Sequence, residues 1–170
     1  MRLYTGTGDE GMTSLMNGVR ISKSEERIEL LGTIDELSSY IGLAKVVLKE
    51  EQKQELSSIQ KILITIMAGV ADAKNKEFQV KEEQITLIEK QIDNVENKFP
   101  RQKEFVLYGE CEESARLDVA RSVARRAERC FKRVELKYDV DLRAMQYMNR
   151  LSDYLYILAR YEDYKMRKNA

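Results

Sequence analysis

From Ile28 onward the apolar residues fall at helical spacing: Ile28, Leu31, Ile34, Leu37, Ile41, Ala44 and Leu48. A second stripe runs through Leu56, Ile59, Ile62, Leu63, Ile66 and Val70, and a third, more polar one through Ile85, Ile88, Ile92 and Val95. Pro100, the only proline, is a stop signal for that third segment. The fourth stripe holds Ala115, Val119, Ala120, Val123, Ala127, Cys130 and Val134. The fifth holds Leu142, Met145, Met148, Leu151, Leu155 and Leu158, followed by a charged tail expected to fray. Apolar positions three and four apart give each segment one buried stripe, so the pattern predicts an all-α fold, an up-and-down bundle of five helices. Ser22 or Ser24, each followed by a glutamate, is the expected cap of the first helix. Residues 74–84 read as a surface connection, because their polarity leaves little to bury. Residues 105–110 (FVLYGE) read as a short extended or turn segment, and 138–141 as a polar break.

Charge and composition narrow the chemistry. Lys+Arg and Asp+Glu both total 29 in 170 residues, so no global imbalance draws the chain to nucleic acid or to an anionic membrane. A basic site has to be local. The absence of histidine removes His-based triads, His acid–base chemistry and Glu-x-x-His di-iron sites, leaving carboxylates, Arg, Lys and backbone. Cys111 and Cys130 form no CxxC pair and read as structural thiols of a reducing compartment. No apolar run reaches the roughly 20 residues that span a bilayer, and the N-terminus has no signal-peptide core, so a soluble, cytoplasmic protein is expected. Without repeats or linkers, one domain over residues 1–170 is expected: an extended N-terminal loop over 1–24 and a helical bundle over 25–170.

Two distant segments carry the candidate chemistry: YTGTGDEGMTSL (residues 4–15) and RSVARRAER (residues 121–129). In the first, glycine lets backbone N–H groups approach an anion closely, and the hydroxyls of Thr5, Thr7, Thr13 and Ser14 suit phosphate oxygens or Mg²⁺. Gly6 to Gly11 matches GxGxxG without the βαβ setting a dinucleotide site needs, and the near miss to a P-loop has Met12 where lysine belongs. Lys23 is the candidate for supplying that charge from elsewhere. A terminal loop without a ligand is the competing reading. On a helical wheel, Arg121, Arg125 and Glu128 fall within roughly 60° of one another, opposite Val119, Val123, Cys130 and Val134. Such a face is either solvated and internally ion-paired, or covered by a ligand or second subunit. Asp35 and Glu36 are possible partners for these arginines. Asn149, Arg150 and Asp153 form either a local polar network or an extension of the site.

Four blocks in order, YTGTGDEGMTSL, GTIDELSSYIGLA, ARSVARRAER and NRLSDYLYILARYED, resemble the PduO-type ATP:cob(I)alamin adenosyltransferases over nearly the whole chain, with residues 50–100 matching mainly in helical pattern. The resemblance implies a homotrimeric five-helix bundle that binds ATP between subunits. It would transfer the 5′-deoxyadenosyl group to the cobalt of cob(I)alamin, releasing adenosylcobalamin and triphosphate. It also implies that Thr5, Gly6, Thr7, Gly8, Thr13, Ser14 and Lys23 surround the nucleotide together with Arg125, Arg126, Glu128, Arg129 and Asn149. Mg²⁺ would be held mainly through the ATP phosphates. Arg125, Arg121 and Asp35 take catalytic roles, Asp35 and Arg121 as an intersubunit acid–arginine pair. Phe105 matches the aromatic residue that keeps the corrinoid's lower face free of dimethylbenzimidazole. A reductase and an adenosylcobalamin-dependent acceptor are the implied partners. The chain departs from the family pattern at Gly6 (often Lys), at Tyr108-Gly109-Glu110 (Pro-Gly-Gly) and at Asp118 (His). The alternative from another class is a noncatalytic helical protein that binds nucleotide or corrinoid and delivers or senses adenosylcobalamin.

Overall fold

The computed structural model describes residues 6–100 and 105–169. Among these, a two-stranded antiparallel hairpin, β1 (Met12–Ser14) and β2 (Arg20–Ser22), precedes α1 (Glu26–Lys45), α2 (Glu50–Ala71), α3 (Glu82–Glu96), α4 (Glu112–Glu135) and α5 (Leu142–Asn169). A short 3₁₀ turn, Lys76–Phe78, lies between α2 and α3. Side-chain bonds give the helix directions. On α1 and α4, Glu26 meets Lys137 and Glu36 meets Arg126, so the two run antiparallel. Asn149 with Glu128 and Arg160 with Asp118 make α4 and α5 antiparallel, while Arg143 with Glu82 and Arg150 with Glu89 make α3 and α5 parallel. Gln60 bonds Ser38 and Lys45 to close α2 against α1, and Tyr154 reaches Glu55 across α5 and α2. Successive helices thus alternate in direction, as expected of an up-and-down bundle.

Most positions of the sequence stripes enter one core, with Leu30 and Phe131 added and Leu142, 66% exposed, left out. Leu30, Ile34, Leu37 and Ile41 of α1 meet Leu56, Ile59 and Leu63 of α2, Ile85 and Ile88 of α3, Ala127 and Phe131 of α4, and Leu151 and Leu155 of α5, all buried. At about 1.5–3 kcal/mol for each fully buried large aliphatic side chain, this burial outweighs any contribution from the surface pairs. The hairpin has a smaller cluster of its own: Leu15 and Ile21 with Ala71 at the end of α2, flanked by Ile28 and Leu31.

Several local expectations are corrected. Neither Ser22 nor Ser24 caps α1; their hydroxyls bond each other at 2.8 Å, and the N-cap is Glu25, whose carboxylate is taken by Arg27. Residues 74–84 are not merely a polar surface link: Val80 is buried, and its N–H donates to Asp141 Oδ2 at 2.7 Å. Val119 leaves the α4 stripe, 42% exposed. The charged tail stays helical to Asn169, tied by ion pairs of Lys165 with Glu162 and Arg167 with Glu110. Cys111 caps α4: its Sγ accepts from Ser114 N–H, and Ser114 Oγ accepts from Cys111 N–H.

Candidate functional site

The opening glycines and Lys23 come together through the hairpin. Thr13 faces Ile21 and Ser14 faces Arg20 across the strands, and one step beyond the ladder Lys23 N–H donates to Gly11 O at 2.8 Å. This register folds the lysine back over the loop. A Cβ on Gly8 would stand 3.2 Å from Lys23 Nζ and 3.4 Å from Met12 O, so glycine makes room for the ammonium group. Gly6 and Gly11 both take positive φ, at +73° and +79°. Arg20 Nη2 donates to Thr7 O at 2.9 Å, closing the loop from the β2 side. The result is a compact, cation-bearing backbone turn that leads into the strand carrying Thr13 and Ser14. Thr5 lies outside the described residues.

On α4 the arginines divide by face. Arg125 and Arg129 are exposed, and among the described residues no carboxylate pairs with either. Arg126 is ion-paired with Glu36 of α1, which holds its guanidinium above the usual arginine range through the charged hydrogen bond. Glu128 faces α5 instead and accepts from Asn149 Nδ2 at 3.0 Å; Asn149 Oδ1 in turn accepts from Arg150, which bonds Glu89 of α3 at 2.9 Å. Asn149 and Arg150 therefore form the local network, and Asp153 is exposed outside it.

Among the described residues the two halves pack on different faces of α1. The hairpin packs on α1 through Ile28 and Leu31, and Asn17 Nδ2 donates to Ala71 O at 3.0 Å, whereas α4 packs on another face of α1, where Thr33 meets Cys130 and Glu36 meets Arg126. Among the described residues no hydrogen bond or ion pair links residues 8–24 to α4. Asp35 is likewise exposed and unpaired there, while Arg121 bonds Asp118 at 3.1 Å rather than Asp35.

A buried ionic cluster at the α4–α5 seam escaped the sequence reading. Asp118, 6% exposed, accepts from Arg121 Nε through Oδ1 and from Arg160 Nη2 through Oδ2 at 2.5 Å. Arg160, 7% exposed, also sets Nε 2.9 Å from Asp163 Oδ2, close enough for attraction but outside hydrogen-bond alignment, and its Nη1 is buried without a partner. Burial pushes the Asp163 carboxyl up, against the pull of Ser114 and Arg160. Both acid–arginine pairs, Asp118 with Arg121 and Arg160 with Asp163, are spaced i,i+3 and so were visible in the sequence. Their union across two helices was not. Beside the cluster lies a cavity of about 320 Å³, lined by Phe99, Val106, Tyr156, Arg160, Asp163 and Tyr164 among others. Phe105, which precedes Val106, is fully exposed and so is not a packed anchor of the helix entrance. Among the described residues no group of three His, Cys, Asp or Glu side chains is placed to hold a metal ion, and no helix is long and apolar enough to cross a membrane.

Fold and surface together define an all-α bundle with a glycine- and lysine-bearing hairpin at one end and an uncovered arginine row along one helix. Residues 3–162 match the model of the family described as cobalamin adenosyltransferase. The chain is 41% identical over 170 residues to the corrinoid adenosyltransferase PduO of Salmonella typhimurium, covering 96% of this chain and 50% of that protein. Identity to the corrinoid adenosyltransferase of Bacillus subtilis is 37% over 166 residues, covering 94% of this chain and 86% of that one. A solved phenylalanine-to-histidine variant of a PduO-type ATP:corrinoid adenosyltransferase from Lactobacillus reuteri, complexed with cobalamin and ATP, superimposes with a TM-score of 0.90 at 30% identity, over 98% of this chain and 93% of that one. The chain belongs to the cobalamin adenosyltransferase family. It spans about half the length of the PduO proteins of Salmonella typhimurium and Citrobacter freundii.

Proposed function

We propose that this chain, residues 1–170 acting as one domain, transfers the 5′-deoxyadenosyl group of ATP to the cobalt of cob(I)alamin. The observation that carries this reading is the guanidinium face of α4: Arg125 and Arg129 are exposed and unpaired among the described residues, in a family that takes its name from this transfer. In the reaction the electron pair of cobalt(I) forms the Co–C5′ bond, the C5′–O bond breaks, and triphosphate leaves with that bonding pair. Both reacting partners come from the substrates, so no protein nucleophile is needed, which suits a chain without histidine. The protein's task is orientation and charge stabilisation.

Thr5, Gly6, Thr7, Gly8, Thr13, Ser14 and Lys23 would enclose the triphosphate from one side; Arg125, Arg126 and Arg129 would do so from the other, with Glu128 and Asn149 holding the frame. The hairpin and α4 pack on different faces of α1, so a second copy would bring its α4 to the first copy's hairpin, in the homotrimer that the resemblance implies. Asp35, exposed on α1, and Arg121 would pair across that interface. Mg²⁺ would be carried mainly by the ATP phosphates; among the described residues no group of three His, Cys, Asp or Glu side chains is placed to hold it alone. The exposed Phe105 and Leu107 and the adjoining cavity form the apolar ground on which a corrinoid would rest. The work would take place in the cytoplasm, beside the reductase and the acceptor enzyme that the resemblance implies; two unbridged cysteines suit a reducing compartment.

An anaerobic assay with ATP and chemically reduced cobalamin tests the reading through the absorbance of the new Co–C bond and release of triphosphate. Turnover supports it. Binding of both ligands without turnover would instead make the protein a carrier or sensor.

A further inference from the structure

Residues 105–111, leading into α4, are held by two tethers. The Tyr108 ring lies 4.9 Å from the guanidinium carbon of Arg121 and 5.3 Å from that of Arg160. Tyr156 of α5 borders the same two cations, at 6.0 Å and 5.4 Å. Asp118 accepts a hydrogen bond from each arginine and so fixes both guanidinium planes between the rings. The second tether is Glu110, which Arg167 of α5 grips with two nitrogens, Nε to Oε2 at 2.6 Å and Nη2 to Oε1. Between the tethers Gly109 takes φ +96°, a turn that side-chain-bearing residues rarely make. The apolar groups left over, Phe105 and Leu107, point away from the protein, 109% and 89% exposed. An untethered loop bearing two such side chains would lower its free energy by folding them onto nearby apolar surface, and the cavity lined by Val106, Tyr156 and Tyr164 offers that surface.

We propose that Tyr108, clamped by Arg121 and Arg160, is a positioning residue that holds the loop so that Phe105 stays presented to the corrinoid instead of collapsing into the adjoining cavity. This rests on the corrinoid reading above. Three observations converge on it: a half-exposed aromatic ring over two cations, an anion buried beneath to orient both, and a large apolar side chain kept in solvent a few residues away. The clamp needs a π-face and not merely bulk, because a guanidinium is drawn to the negative face of the ring. Presenting the loop in its binding form lowers the ordering cost when the ligand arrives. Tyr108 also stands where this chain departs from the family pattern, so the clamp belongs to this sequence.

The test compares Tyr108→Phe with Tyr108→Leu in the full chain, by hydrogen exchange of residues 105–111 without ligand and by KM for cob(I)alamin and for ATP. Tyr108 is half-exposed, so neither replacement opens the core. Because leucine offers neither arginine a π-face, exchange in Tyr108→Leu is expected to rise about five- to thirty-fold and the corrinoid KM by a similar factor. The KM for ATP should stay within about two-fold, and Tyr108→Phe should track wild type throughout, since the interaction is with the ring. Equal protection in the Leu and Phe variants overturns the clamp. A loosened loop with an unchanged corrinoid KM, in an enzyme that turns over, overturns the positioning role. Failure of the wild type to adenosylate cobalamin sinks the functional reading and with it the role toward corrinoid, while the ligand-free exchange comparison still decides whether Tyr108 is clamped.

Discussion

Replacing Asp118 by asparagine removes one charge from a cluster in which that charge serves two cations. The carboxylate is 6% exposed and accepts from Arg121 and Arg160; its amide analogue keeps one acceptor but turns an N–H₂ donor towards a guanidinium. Breaking a buried ion pair by removing one partner leaves the other uncompensated, at about 3–5 kcal/mol. Here the loss is partial. Arg160 retains Asp163 beside its Nε, and Arg121 is on the half-buried rim, so the lower end, about 3 kcal/mol, is expected. For a chain of this size that corresponds to a fall in Tm of roughly 6–12 °C. Differential scanning calorimetry at neutral pH and fixed protein concentration measures it, with Glu36→Gln as the reference. The Glu36–Arg126 pair is close to half-exposed on both sides, so its loss is expected to cost less than about 1 kcal/mol. Asp118→Asn and Arg160→Met combined should cost less than the sum of the two single losses, because either change alone already breaks the Asp118–Arg160 pair. An Asp118→Asn protein no less stable than Glu36→Gln, or a double variant whose loss equals the sum of the two single ones, would refute the buried-cluster argument.

Arg125→Ala and Lys23→Ala should each lower kcat/KM for ATP about ten- to hundred-fold, the worth of a charge-assisted hydrogen bond, with Tm nearly unchanged; unaltered ATP kinetics in both would remove the phosphate site. Asp35→Asn, at an exposed and unpaired position, should change the stability of the single chain by less than about 0.5 kcal/mol while weakening assembly and activity. Light scattering decides this, and a fully active, fully assembled variant would dismiss the intersubunit pair. Phe105→Ala should leave stability within about 0.5 kcal/mol of wild type while lowering corrinoid adenosylation more than ATP binding, whereas buried Phe131→Ala should lose about 3–5 kcal/mol. A Phe105→Ala protein as unstable as Phe131→Ala would restore Phe105 to a packing role. Burial pushes the Tyr147 phenol far above its ordinary value of 10.0. The proton is therefore held more tightly in the folded chain, so this contribution is whole below about pH 10 and is lost as pH rises beyond it. Urea unfolding from pH 8 to 11 should show a flatter alkaline decline for Tyr147→Phe, and identical slopes would count against this source.

The helices were legible because each buries one stripe, and burial answers to spacing: Ile34, Leu37 and Ile41 are fully buried, whereas at the start of α1 Leu30 enters the core and the expected Ile28 and Leu31 are only partly buried against the hairpin. The hairpin is also written in the chain, in Asn17-Gly18 between short polar–apolar stretches, a strong hairpin signal that a reading of the segment as an anion loop alone leaves out. Gly18 takes φ +84° there, and Leu15 N–H donates to Val19 O at 2.9 Å. Of the candidate site, the separation of Arg125 from the core could be read from the wheel. The division of labour between Arg121, turned to Asp118, and Arg126, turned to Glu36, could not, since it depends on which neighbour each side of α4 meets. Val119 shows the same limit: its spacing fits the stripe, but it lies on the edge of the helix that no neighbour covers.

Because Leu15, Ile21 and Ala71 cluster apart from the main core, the hairpin can open while the bundle stays folded. Its amides should exchange through local excursions of low free energy, and those of Ile34 or Leu155 only through global unfolding. Any ligand that seats in the hairpin would then slow exchange there and at the Ala71 end of α2, to which Asn17 is bonded, long before it altered the melting of the bundle. Occupancy of such a site would be read by local exchange at ligand concentrations where calorimetry still records the empty protein.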